Sequence, residues 1–101
     1  LDEHAAALDW QERAVERSRA LVEFDPRNAE WRQELARQLR FQAEVLRVLE
    51  RFAEALEAAS ESHAVFVDLG ELDPSRSGWT DELGSIERLC GELQQLVDAG
   101  L

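Results

Sequence analysis

One phrase occurs twice in this chain: Asp25-Pro26-Arg27-Asn28-Ala29-Glu30-Trp31 returns, 48 residues on, as Asp73-Pro74-Ser75-Arg76-Ser77-Gly78-Trp79. Laid over itself at that offset, the chain matches residues 1–53 to residues 49–101 at thirteen positions, among them Ala5/Ala53, Ala7/Ala55, Leu8/Leu56, Leu21/Leu69, Leu35/Leu83, Arg40/Arg88 and Glu44/Glu92. Matches that fall on apolar positions and at one turn are what two copies of one folding unit require. A period in this range marks a repeat array, in which each unit buries its apolar face on its neighbour.

Glycine and proline are scarce, and both prolines follow aspartate. The residue before a proline is pushed out of the helical region, so the breaks are easily placed. An all-α chain of four helices is expected, over about 2–24, 28–50, 53–72 and 77–98. The first carries Ala7, Trp10, Ala14, Leu21 and Phe24 on one stripe, with Leu8, Val15 and Val22 beside it. The second opens on Asn28, a good N-cap, and has two adjacent apolar faces: Trp31, Leu35, Leu39, Leu46 and Leu49, then Phe41, Val45, Val48 and Phe52. Burial on two sides is expected of a helix sandwiched in a stack. The third turns Leu56, Ala59, Phe66 and Leu69 inward, and its alanine-rich start permits close approach. The fourth, capped by Ser75 or Ser77, has a narrower stripe of Trp79, Leu83, Ile86, Leu93 and Val97, with Glu87, Arg88, Glu92, Gln94 and Gln95 solvated. Short connections make successive helices antiparallel.

Acidic residues outnumber basic ones 22 to 11, a net charge of −11 that repels phosphate backbones and anionic lipid. Nucleic acid and membrane are therefore not expected partners. No signal peptide is evident, and no apolar run approaches the roughly 18 residues of a membrane span. The lone Cys90 excludes an internal disulfide and suits a reducing compartment. At 101 residues the core is only marginally large enough to stand alone, and a start at Leu1 reads as a piece of a longer protein.

An alanine-rich helix ending in Leu-x-x-Leu/Phe-Asp-Pro, followed by a helix opening on Trp, resembles the tetratricopeptide repeat superfamily. The usual period of that superfamily is about 34. The 48-residue period here adds two turns to each helix, which is similar to bacterial long-helix variants. Their junction, Asp-Pro-x-Asn-x-x-Trp, is matched in full at 25–31, while the second copy has Arg76 in place of Asn. A small residue stands mid-helix as Ala43 and Gly91, but Glu50-Arg51 replaces the Gly-Asp usual at the hairpin turn.

The resemblance implies a cytoplasmic, non-catalytic scaffold without cofactors, which binds a protein or peptide in a groove lined by the first helix of each hairpin. On that reading Arg32, Arg40 and Arg88 are candidates to hold a partner's carboxylates. Trp10, whose counterpart is Ala58, is a candidate contact residue. The plainer reading of Arg40 and Arg88 is intrahelical pairing with Glu44 and Glu92. Trp31 and Trp79 are read as structural wedges between hairpins, and Pro26 and Pro74 as structural stops. The asparagine that completes a carboxylate clamp in some of these domains is replaced by Ala36 and Gly84, so a clamp of that type is not expected.

The phase of the repeat makes the first helix the second member of a hairpin and the fourth helix the first member of another. Each end should then leave an apolar face uncovered. Hence the alternatives of a self-associating oligomerisation domain, a homodimer through the end faces, or a closed bundle.

No phosphate loop, metal spacing or nucleophile–base pair is legible, so no catalysis is expected. His63, beside the Leu56/Ala59/Phe66 stripe, reads as a packing residue at a helix edge. Its sharper alternative is the phosphorylatable histidine of a histidine phosphotransfer bundle. Such domains carry Lys-Gly soon after the histidine, and Ala64-Val65-Phe66-Val67 has neither. Glu54, Glu57 and Glu61 form either a solvated face or a surface for a basic segment.

Overall fold

A computed structural model describes residues 3–72 and 78–100. It contains α1 (Glu3–Phe24), α2 (Ala29–Val48), α3 (Phe52–Leu72) and α4 (Gly78–Asp98), with no strand among the described residues. Pro74 and the expected caps Ser75 and Ser77 lie outside the described residues, as does the side chain of Trp79.

Local chemistry sets the helix ends. After Pro26, Asn28 adopts an extended conformation, φ −75° and ψ 102°, and its side-chain oxygen accepts the Trp31 backbone N–H at 3.1 Å. A cap of this kind is worth about 1 kcal/mol. At the other end of α2 the Arg51 N–H donates to the Leu46 carbonyl at 2.9 Å, and the Glu50 N–H to Arg47 at 3.0 Å. This paired closure requires a left-handed residue, and Glu50 supplies it at φ 61°. The fold thus makes the turn for which glycine is suited with a side chain that opposes it. Glu50→Gly is expected to stabilise the chain by about 1 kcal/mol, read as a rise of several degrees in a thermal melt.

The helices zigzag between two layers. Ser62 reaches back from α3 to the Ala36 carbonyl at 2.7 Å, and Arg32 lies 3.8 Å from Asp68, contacts that run in opposite senses along antiparallel α2 and α3. By contrast Arg37–Glu82 and Arg47–Glu92 share one separation of 45 residues, so α2 and α4 run parallel, side by side. Arg19 meets Glu61 across α1 and α3, the other layer. Packing is closest between α2 and α3, then between α1 and α2 and between α3 and α4. The two end helices form no comparable packing, which leaves a slab 39 × 27 × 17 Å rather than a closed bundle.

Alanines allow the central approach: Ala36 and Ala43 on α2 and Ala55 and Ala59 on α3 are fully buried, around Phe66, Leu69, Ile86 and Leu93. A smaller cluster of Val15, Leu35 and Leu39 joins α1 to α2. Two expectations are corrected. Of the second apolar face assigned to α2, Val45 is buried, whereas Phe41 and Val48 are exposed, because no helix lies on that side. Among the described residues of α4 no apolar face is uncovered, since the outward residues Glu87, Arg88, Gly91, Glu92, Gln94 and Gln95 are all polar or small. The α1 end does expose an apolar stripe: Leu8, Val15 and Ser18 face inward, and Trp10, Leu21 and Phe24 face out.

Candidate functional site

Because α2 and α4 lie parallel in one layer, they present a common outward face. Residues 37, 40, 44 and 47 recur at helical spacing along α2, and residues 82, 85, 88 and 92 recur along α4. Two shallow hollows lie between them. Arg37, Arg40, Phe41, Glu44 and Glu82 line the first, and Arg40, Glu44, Arg47, Ser85, Arg88, Leu89 and Glu92 line the second. Arg40 and Arg88, equivalent across the repeat, meet in the second hollow.

Four arginines and three glutamates thus line the pair of hollows, in a chain whose net charge is −11. The arginines differ in how firmly they are held. Arg37 donates through both Nε and a terminal nitrogen to one oxygen of Glu82, at 3.2 and 2.9 Å, and Arg47 donates to Glu92 at 2.9 Å. Arg40 makes the expected intrahelical ion pair with Glu44, at 3.7 Å, longer than a hydrogen bond. Arg88 has no carboxylate partner among the described residues and makes only a 3.4 Å contact with the Gly84 carbonyl. The intrahelical pairing expected for Arg88 is absent because Arg47, from the neighbouring helix, takes Glu92 instead. The second oxygen of Glu82 is buried and meets no donor among the described residues.

The opposite layer has another character. Glu12, Glu16, Glu54, Glu57 and Glu61 gather around one arginine, Arg19, along α1 and α3. The hydrogen bond that Arg19 donates to the Glu61 carboxylate raises the pKa of Arg19 above its ordinary value. At the margin of α3, Arg51 holds the Glu54 carboxyl below the usual range through a hydrogen bond. Burial pushes the Cys90 thiol up, which leaves it a poor nucleophile at neutral pH.

Of the residues singled out from sequence, Arg40 and Arg88 come together and the others do not join them. Arg32 is engaged at the base of α2, where its guanidinium donates to the Pro26 carbonyl and lies near Asp68 of α3. It fastens the α1–α2 turn and is not on the shared face. Trp10 lies on α1, in the other layer, with its ring exposed. Trp31 is half-buried, its ring centroid 6.3 Å from that of Phe24, wedged at the turn that Pro26 opens. Arg37, Arg47 and Glu82 were not singled out. The spacing of Arg37 and Arg47 from Arg40 was legible, since residues three and seven apart share a helix face, whereas Glu82, six residues before Arg88, carried no such signal.

His63 is half-buried on α3 and faces Glu87 of α4 at 3.4 Å. A phosphotransfer histidine calls for a basic neighbour, and this one has a carboxylate. Among the described residues no group of three His, Cys, Asp or Glu side chains is placed to hold a metal ion. No described helix is long and apolar enough to cross a membrane.

Scans against protein-family models, curated proteins and solved structures find no match to this chain.

Proposed function

We propose that this chain is a scaffold of tetratricopeptide-repeat type that binds a protein or peptide rather than transforming a substrate, and that the partner lies along the face shared by α2 and α4. The observation that carries the reading is the meeting of Arg40 and Arg88 in one hollow, Arg40 held by a 3.7 Å intrahelical ion pair with Glu44 and Arg88 with no carboxylate partner among the described residues. A guanidinium is a planar fork suited to bidentate contact with a carboxylate. Two such forks on adjacent parallel helices suit an acidic segment running across the layer. Arg37 and Arg47, already held by Glu82 and Glu92, frame the hollows and keep them open.

Selection of peptides from a random displayed library against the chain tests this reading. The expected sequences are enriched in Asp and Glu, and they lose binding when the selection is repeated on the Arg40→Glu/Arg88→Glu variant. Enrichment in Lys and Arg, with binding intact on that variant, would place the partner on the acidic α1–α3 layer and overturn it.

A further inference from the structure

Arg40 and Arg88 hold the same place in the 48-residue repeat, and each is followed four residues on by a glutamate, Glu44 and Glu92. The two copies of this pair have different fates. Arg40 and Glu44 pair at 3.7 Å, whereas Glu92 is taken at 2.9 Å by Arg47 of the neighbouring helix, and Arg88 is left with the Gly84 carbonyl. The residues three and four positions from Arg88 on its own helix are its neighbours. Of these, Gly84, Ser85, Gly91 and Glu92, only the last is acidic. What Glu92 does therefore decides whether Arg88 is paired within α4.

The packing explains why Arg47 wins. With α2 and α4 aligned at a separation of 45 residues, Arg37 stands level with Glu82, Arg40 with Ser85, Glu44 with Leu89 and Arg47 with Glu92. The outer two rungs are ion pairs, and each inner rung sets a charged residue opposite an uncharged one. Within a helix, an arginine four positions before a glutamate is the less favourable order. The Arg40–Glu44 pair is accordingly longer than a hydrogen bond, while Arg47 meets Glu92 at hydrogen-bond distance. The repeat counterpart of Arg47 is Gln95, so this capture belongs to the junction of α2 with α4 and is not a property of each copy. Three guanidiniums and two carboxylates line the hollow, which leaves one positive charge unbalanced.

We infer that Arg47 is a positioning residue for the proposed site: by holding Glu92 it withholds the one carboxylate of α4 within reach of Arg88, and so reserves Arg88 for a carboxylate of the partner. The inference rests on the reading of the α2–α4 face as the partner site. Glu92 is then an internal rival of the partner. Released from Arg47, it closes on Arg88 as Glu44 closes on Arg40, which occupies the guanidinium and sets a like charge beside the incoming carboxylate.

A double-mutant cycle tests this by isothermal titration of an acidic peptide selected on the unaltered chain. Arg47→Ala is expected to weaken binding about fivefold. In the Glu92→Gln background, where the rival is gone, the same removal of Arg47 is expected to cost less than about twofold. Arg47 and Glu92 are both about half exposed, and circular dichroism checks that each variant folds. An arginine that attracted or touched the peptide directly would cost as much in either background, and equal losses overturn the inference alone. Peptide binding that survives Arg40→Glu/Arg88→Glu overturns the reading of the face, and with it the purpose assigned to Arg47. A second measurement needs no peptide. The side-chain Nε–Hε resonance of Arg88 should move on Arg47→Ala and return toward its first position in Arg47→Ala/Glu92→Gln; a resonance that stays in place on Arg47→Ala would overturn the withholding of Glu92.

Discussion

Phe66→Ala is expected to cost about 3–5 kcal/mol, since Phe66 is the largest fully buried side chain among the described residues. Phe66 is fully buried in the middle of α3, the helix that packs on both α2 and α4. Alanines crowd its surroundings, with Ala36, Ala55 and Ala59 all at zero exposure. Small residues already at backbone contact cannot move inward to fill a void, so most of the cavity persists and its cost is retained. Domains of this size are stable by roughly 5–15 kcal/mol, so about a fifth or more of the total is at stake. Urea denaturation should show the midpoint reduced by at least that fraction. Phe24→Ala is the contrast: Phe24 is 83% exposed, with its ring 6.3 Å from that of Trp31, and its loss should stay within about 1 kcal/mol. Equal losses at the two positions would contradict the burial assigned here.

The second large effect concerns binding. Arg40→Glu/Arg88→Glu should weaken an acidic peptide selected on this chain about a hundredfold, at roughly 1.4 kcal/mol for each of the two contacts. Stability should hardly change, because Arg40 is only loosely paired with Glu44 and Arg88 with no carboxylate among the described residues. Isothermal titration of the peptide, alongside urea denaturation of the variant, separates the two quantities. The affinity of the unaltered chain should also fall as salt is raised, since exposed charges are screened beyond about 10 Å at 0.1 M.

The helix ends were legible because they depend on local chemistry. Asp-Pro at 25–26 and the Asn28 cap act within one turn, and the ends of α1 and α3 fall at the expected residues. The Glu50 turn was half legible: the position was marked as one where glycine is usual, but its left-handed backbone depends on the Leu46 and Arg47 carbonyls. Which stripe of a helix is covered was harder to read. Phe41 and Val48 carry the same apolar signal as Val45, and only the arrangement of layers decides that Val45 is buried and the other two are not. The candidate face was legible to the same degree. Arg40 and Arg88 could be aligned through the repeat, whereas the pairing of Arg47 with Glu92 rather than Arg88 with Glu92 requires α2 and α4 side by side. Arg32 matches the polar side of its helix, yet the nearby Pro26 carbonyl and Asp68 hold it elsewhere.

The measurement that bears most directly on the account is amide chemical-shift mapping of the chain as a selected acidic peptide is added. The account predicts shifts concentrated on α2 from Arg37 to Arg47 and on α4 from Glu82 to Glu92, with the α1–α3 layer unmoved. Shifts confined to α1 and α3, around Arg19 and its ring of glutamates, would contradict it.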